Sequence, residues 1–256
     1  MSVTSENHPE DTSARPGKNG KTAVIACATV IEEMLPILPA SVSFRVLDFG
    51  LHVNPAQLRK TLQDAVDEAA IDARMIILGY GLCSQAVIGL RANGCTLVVP
   101  RVDDCIAIFL GSASAYREQV RSEPGTYYLT KGWIEAGDSP FAEHERLKEK
   151  YGETRAERMT RLVLKNYTRL ALINTGLHEI ERFRDYARSA ASHFGLRYEE
   201  IEGSTDLVKR MVFGPWGDGF IVARPGDTLK LEDFFGRAEI RDEKKHAVTG
   251  EYPNAK

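Results

Sequence analysis

Two stretches decide the fold: Met75-Ile76-Ile77-Leu78-Gly79-Tyr80-Gly81-Leu82-Cys83-Ser84 and Thr96-Leu97-Val98-Val99-Pro100-Arg101-Val102-Asp103-Asp104-Cys105. In each, a short apolar, β-branched run stops at Gly or Pro, and a cysteine follows within a few residues. Runs that are apolar throughout, without alternation, suit strands of a parallel sheet covered on both faces. In such sheets the loops beyond the carboxyl ends of the strands form the binding crevice. The pattern therefore delivers cysteines to one sheet edge.

Working outward, Thr22–Ala28 reads as a first buried strand with Cys27 at its end, and Val30–Leu38 as a short helix. Val42–Phe49 is a second strand, leading through Leu51-His52-Val53 to a helix. Asn54 is placed to cap that helix, Pro55 suits its first position, and Leu58, Leu62 and Val66 form its apolar stripe. Gln85–Arg91 is expected to be helical, as is Ile106–Arg121. Tyr127–Thr130 has strand composition, which Gly132-Trp133 is expected to break. The highly charged Ala142–Thr154, with His144 among its charges, reads as a solvated helix face and a lobe boundary. Beyond it come a helix at Arg155–Tyr167, strands at Arg169–Asn174, Leu196–Ile201 and Phe220–Ala223, and helices at His178–Phe194 and Ser204–Val212. The expected architecture is α/β: two Rossmann-like lobes, at 21–140 and 141–235, with mostly parallel sheets flanked by helices. A disordered tail at 1–20 and a flexible tail at 236–256 complete the chain.

Composition narrows the function classes. With 43% apolar and 27% charged residues, the chain of 256 residues is ordinary for a globular protein. A net charge of -3 gives no drive toward nucleic acid or an anionic membrane. No apolar run approaches the roughly 20 residues that span a bilayer. Met1–Gly20 lacks the apolar core of a secretory signal, so the expected compartment is the cytoplasm. In that compartment Cys27, Cys83, Cys95 and Cys105 are not a disulfide framework.

Cys27, Cys83 and Cys105 are the candidate metal ligands. Three thiolates suit Zn²⁺ with an open position for water or substrate, and equally an iron–sulfur cluster with one free iron. No Cys-x-x-Cys spacing reinforces either reading, and a buried cysteine also serves as a small apolar residue. Cys95, without polar neighbours, is read as structural. Arg101, Asp103 and Asp104 are the candidate catalytic groups: an anion receptor and two carboxylates able to act as base or to orient a ligand. A loop ion pair is the plainer account of them. His52, at a strand-to-helix junction, is either a hydrogen-bonded capping residue or part of the site. Gly79, Tyr80 and Gly81 form a tight turn that could cradle a cofactor, although Gly-x-Gly alone is a poor dinucleotide fingerprint. Tyr128 and Trp133 could wall the pocket. Glu32 and Glu33 open a helix, where acids are favoured in any case, yet either could reach Cys27.

Taken together, Cys27, Leu51-His52 with Pro55, Gly79-Tyr80-Gly81-Leu82-Cys83, Pro100-Arg101 with Asp104-Cys105, Leu110-Gly111-Ser112, Pro124-Gly125-Thr126-Tyr127-Tyr128 and Gly132-Trp133 resemble a bacterial and archaeal family, DUF1638. The likeness runs over about residues 22–225. Two positions depart from the family pattern: Asp103 stands where Pro-Arg-x-His-Asp-Cys has His, and Ala26-Cys27-Ala28 replaces Ala-Cys-Gly. If that His is a ligand in relatives, Asp103 takes its place or the site differs here. The resemblance implies an accessory setting in corrinoid-dependent methyl transfer. The expected function is a metal-dependent enzyme, with Zn or an iron centre, acting on a small molecule in one-carbon or methyl-group metabolism. The alternatives are an iron–sulfur enzyme and a non-catalytic protein that binds a corrinoid or similar cofactor and partners a corrinoid protein or methyltransferase.

Overall fold

The computed structural model describes residues 20–137 and 139–235. The expected tails, Gly20 aside, lie outside the described residues. Five strands form the first sheet: β1 (Lys21–Cys27), β2 (Ser43–Leu47), β3 (Ala73–Gly79), β4 (Thr96–Pro100) and β8 (Phe220–Ala223), in the order β2-β1-β3-β4-β8. The first four are parallel, and β8 closes the edge antiparallel to β4. A second, parallel sheet holds β5 (Thr126–Leu129), β6 (Arg169–Asn174) and β7 (Arg197–Glu202). The α/β class with mostly parallel sheets is thus realised.

The sheets do not divide the chain at a single point. β5 precedes residue 140 yet pairs with β6, and β8 follows the second sheet yet returns to β4. The reason for β8 is geometric: a parallel β4 leaves an open edge, and a short antiparallel strand covers it.

Why β1 and β3 lie side by side is visible in their small residues. Ala26 and Gly79 are partners in register, and a Cβ on Gly79 would lie 2.5 Å from that of Ala26. Val24–Cys27 and Ile76–Leu78 are wholly buried between helical layers. Those layers comprise α1 (Ala28–Met34), α2 (Pro55–Ala69), α3 (Cys105–Phe109), α4 (Ala113–Ser122) and α5 (Lys131–Ala136), then α6 (Pro140–Tyr151), α7 (Glu153–Leu164), α8 (Glu181–Phe194) and α9 (Asp206–Phe213). The Asn54 carboxamide caps α2 by accepting from the Gln57 amide at 3.1 Å.

Three local expectations are corrected. Gln85–Arg91 contains no helix; the chain makes a left-handed turn and then bonds to the segment before the C-terminal turn, Gly89 N–H to Leu229 O at 2.8 Å and Ala92 N–H to Asp227 O at 2.9 Å. The expected helix at Ile106–Arg121 is two helices, because Gly111 takes a left-handed φ of +82° and Ser112 caps α4 anew. β5 does end, at Leu129, but Gly132-Trp133 is helical and not a break: Thr130 caps α5, and Gly132 lets that helix press on α1, where a Cβ would meet Thr29 Cα at 3.0 Å.

Candidate functional site at the strand ends

The three cysteine loops lie on adjacent parallel strands, β1, β3 and β4, all at the carboxyl edge. Cys27 occupies the N-cap position of α1, with its sulfur 3.1 Å from Thr29 Oγ1. Burial pushes its thiol pKa up, and the Thr29 hydroxyl and the Val30 and Thr29 amides oppose this by favouring the thiolate. Cys83 is raised by burial, then by the proximity of Cys27 and Asp104, against the amides of Gly81 and Cys105. Cys105 is raised by burial, Cys27, Cys83 and Asp104 in turn. The three sulfurs therefore share one electrostatic environment: charge on one opposes charge on the others.

Backbone bonds hold two of the loops together. Leu82 N–H donates to Val102 O at 2.8 Å and Cys83 N–H to Asp103 O at 3.0 Å. Gly81 makes this approach feasible, since a Cβ there would meet Val102 O at 2.8 Å and Asp104 Cα at 3.0 Å. Immediately afterwards Cys83, Ser84 and Gln85 adopt φ of 46°, 55° and 65°. Three consecutive side-chain-bearing residues in the left-handed region are costly, at about 1–2 kcal/mol each, and such outliers concentrate at functional sites. An Ala86 N–H to Cys83 O bond of 3.1 Å closes the turn.

An aromatic wall backs the sulfurs. Tyr80 is fully buried, and its hydroxyl has no hydrogen-bond partner. Burial and then Cys27, Cys83 and Cys105 drive its pKa well above the usual phenol value, which places it among the thiols. His52 stacks on it with ring centroids 5.9 Å apart. The carbonyl of Phe49 accepts from His52 Nδ1 at 2.8 Å, which puts the ring proton on Nδ1 and leaves a lone pair on Nε2. That Nε2 is buried and also without a partner. The wall continues through Phe49, which meets His52 at 5.0 Å and Trp133 at 5.9 Å, and through Trp133 to Phe109 at 5.4 Å.

The remaining candidates fall around this core in distinct ways. Asp104 Oδ1 accepts from Ile106 N–H at 2.8 Å and so caps α3, the helix that begins at Cys105. Burial raises its pKa, opposed by the Ile106 amide and the Tyr116 hydroxyl. Asp103 is half-buried and contributes its carbonyl to the Cys83 amide. Arg101 is exposed, and its amide is tied to Gly219 O. Tyr128 is buried beside Tyr116, with ring centroids 6.3 Å apart, and both feel the charge of Asp104.

No local sequence pattern shows that the loops after β6 and β7 meet α1 and α3. Glu33 on α1 is buried, accepts from the Thr175 hydroxyl at 2.7 Å and lies 3.3 Å from His178 Nε2, which makes no hydrogen bond of good geometry. Thr175 and His178 follow β6, so its carboxyl end faces α1. Ser204, after β7, donates its amide to Phe109 O at 2.9 Å. Nothing local marks Thr175 or His178 as inward-facing. His144, read as part of a solvated face, is buried too: α6 and α7 pair and enclose one side of each.

A family model described as "Protein of unknown function (DUF1638)" matches residues 46–212, well over half of the chain. The chain belongs to the DUF1638 family. No curated protein and no solved structure matches it. The span that matches DUF1638 includes His52, Tyr80, Cys83, Asp104, Cys105 and Trp133, and Cys27 precedes it.

The strand-end edge of this DUF1638 protein carries Cys27, Cys83 and Cys105 with Tyr80 beside them. Thiolate sulfur and imidazole nitrogen are ligand types of Zn²⁺, and the amides near Cys27 and Cys83 only partly oppose the burial that holds the thiols protonated. The sulfurs are not mutually within 4.8 Å, however; among the described residues that spacing is met by His144, Glu157 and His193. In the structure as it stands the three thiols are therefore not gathered around one point.

Proposed function

We propose that this protein is a metal-dependent enzyme acting on a small molecule at the cysteine-bearing edge of its first sheet, with Cys27, Cys83 and Cys105 as ligands to Zn²⁺ or an iron centre. One observation carries the reading: the Tyr80 and His52 rings stack, Tyr80 neighbours the three thiols, and Tyr80 Oη and His52 Nε2 are buried without hydrogen-bond partners. A buried polar atom left unsatisfied costs about 1–3 kcal/mol, and a ligand that engages both atoms removes that penalty. Such an ion supplies Lewis acidity or an activated thiolate.

The protein's own groups have separable roles in this proposal. Asp104 positions Cys105 by capping α3. The Gly81, Cys105, Thr29 and Val30 amides stabilise negative charge on sulfur. Phe49, Tyr80 and Trp133 exclude water, which strengthens every electrostatic contact inside. Tyr80 is a proton donor to a bound anion, and His52 Nε2 is a fourth ligand or a base. The expected setting, one-carbon and methyl-group metabolism, follows from the family resemblance and from no residue of the site.

The test is elemental analysis of protein purified anaerobically without added metal, repeated for Cys27→Ser, Cys83→Ser and Cys105→Ser. Near-stoichiometric metal that falls in all three variants supports the site, and colour separates an iron–sulfur centre from zinc. Trace metal that none of the substitutions alters refutes it.

A further inference from the structure

The geometry points to a second metal site, remote from the cysteines, in which His144, Glu157 and His193 bind a divalent cation of the zinc class. One ligand atom from each lies within 4.8 Å of the others. His144 comes from α6, Glu157 from α7 and His193 from the last turn of α8, so one ion would tie three helices together.

Both imidazoles approach the same carboxylate oxygen through Nε2. Glu157 Oε2 is 3.0 Å from His193 Nε2 and 4.0 Å from His144 Nε2. The outer groups match what a metal site requires. His144 Nδ1 is 3.1 Å from the buried Thr160 hydroxyl; with Nδ1–H as donor, the lone pair stands on Nε2, where an ion would need it. Arg161 Nε donates to Glu157 Oε1 at 2.6 Å, which fixes the carboxylate and leaves Oε2 to face the histidines. Glu153 Oε1, 3.8 Å from His144 Nε2, stands in reach as a fourth ligand.

Two nitrogens and one or two oxygens form a set that Zn²⁺ and its neighbours accept with an open coordination position. Beside it lies a cavity of about 450 Å³, lined in part by Phe141, His144, Tyr186 and His193, with room for water or a small ligand in that position. The bare alternative is a His193–Glu157 hydrogen bond with His144 packed behind it. That arrangement, with His144 Nε2 facing Glu153 and Glu157 as an ion pair, takes up no cation.

Cobalt(II) titration of the full chain separates this site from the cysteine site, because nitrogen and oxygen ligands give visible d–d bands without the near-ultraviolet thiolate-to-cobalt charge transfer. The expected result is a component lacking charge transfer, lost in His193→Gln and in Glu157→Gln. Calorimetric Zn²⁺ titration should show that component weakened roughly tenfold by Thr160→Val, which removes only the outer hydrogen bond. His193 is half exposed, so His193→Gln should fold, with far-ultraviolet circular dichroism as the control. Cobalt spectra and zinc isotherms unchanged by both ligand substitutions overturn the proposal, whatever the cysteines bind.

Discussion

The Cys83 amide donates to the Asp103 carbonyl at 3.0 Å, and this bond joins the loop after β3 to the loop after β4. Asp103 contributes its backbone carbonyl to this bond, whichever side chain the family places there. Two cysteines otherwise carried on separate strands become one unit, and the fit depends on Gly81.

Gly81→Ala would bring a methyl group to within 2.8 Å of Val102 O and 3.0 Å of Asp104 Cα. The neighbours are backbone and cannot swing aside, so the loops must part. The expected loss is about 1–3 kcal/mol in urea denaturation, together with weaker zinc binding by calorimetry. Unchanged stability would show that the loops are not locked together.

Tyr80→Phe and His52→Phe each remove a buried polar atom that has no partner. In metal-free protein Tyr80→Phe should be neutral or stabilising, by up to about 1 kcal/mol, whereas His52→Phe also deletes the Nδ1 bond to the Phe49 carbonyl and should cost about 0.5–1.5 kcal/mol. His52→Phe should also weaken zinc binding roughly tenfold or more. Destabilisation by Tyr80→Phe, with zinc affinity intact in both variants, would mean that the two atoms serve the fold alone.

Thiol titration gives a pH signature with a defined sign. Cys27, Cys83 and Cys105 all have raised pKa values in the folded state, chiefly through burial. The unfolded chain then loses its thiol protons first, near pH 8.5, so metal-free protein should lose stability as pH rises above that value. The slope is at most about 1.4 kcal/mol per pH unit for each thiol, and Cys83→Ala should make it shallower. Zinc binding runs the other way: it requires thiolates and releases protons, so its affinity should climb with pH. Denaturation series from pH 7 to about 10, with and without zinc, check both signs.

The left-handed turn offers a direct probe of strain. Ser84 is exposed with φ of 55°, a conformation that glycine adopts freely. Ser84→Gly should therefore stabilise the protein, by about 0.5–1 kcal/mol once the greater entropy of an unfolded glycine is subtracted. A loss of stability would show that the turn is held by contacts of the serine itself.

Much of the first sheet was legible. Met75–Leu78 and Thr96–Pro100 are uninterrupted apolar runs, and each ends where a glycine or proline forces a turn, so strand identity and the position of the cysteines followed from local chemistry. The turn at Cys83–Gln85 was not legible. Ala86, Val87 and Leu90 carry helix-like spacing, yet their burial comes from a loop pinned to Leu229 and Asp227, far along the chain. His144 failed for the same reason: its neighbours are charged, and only the pairing of α6 with α7 encloses it.

By itself the sequence determined which residues form strands, where each strand stops, and that thiols follow three of those stops. These are properties of short windows, governed by backbone propensity and apolar pattern. Only the tertiary structure decided that β5 joins β6, that β8 returns to β4, that His52 lies on Tyr80, and that Glu33 meets Thr175 across the two sheets. Such contacts depend on which surfaces are buried against each other, and no window of neighbouring residues carries that information.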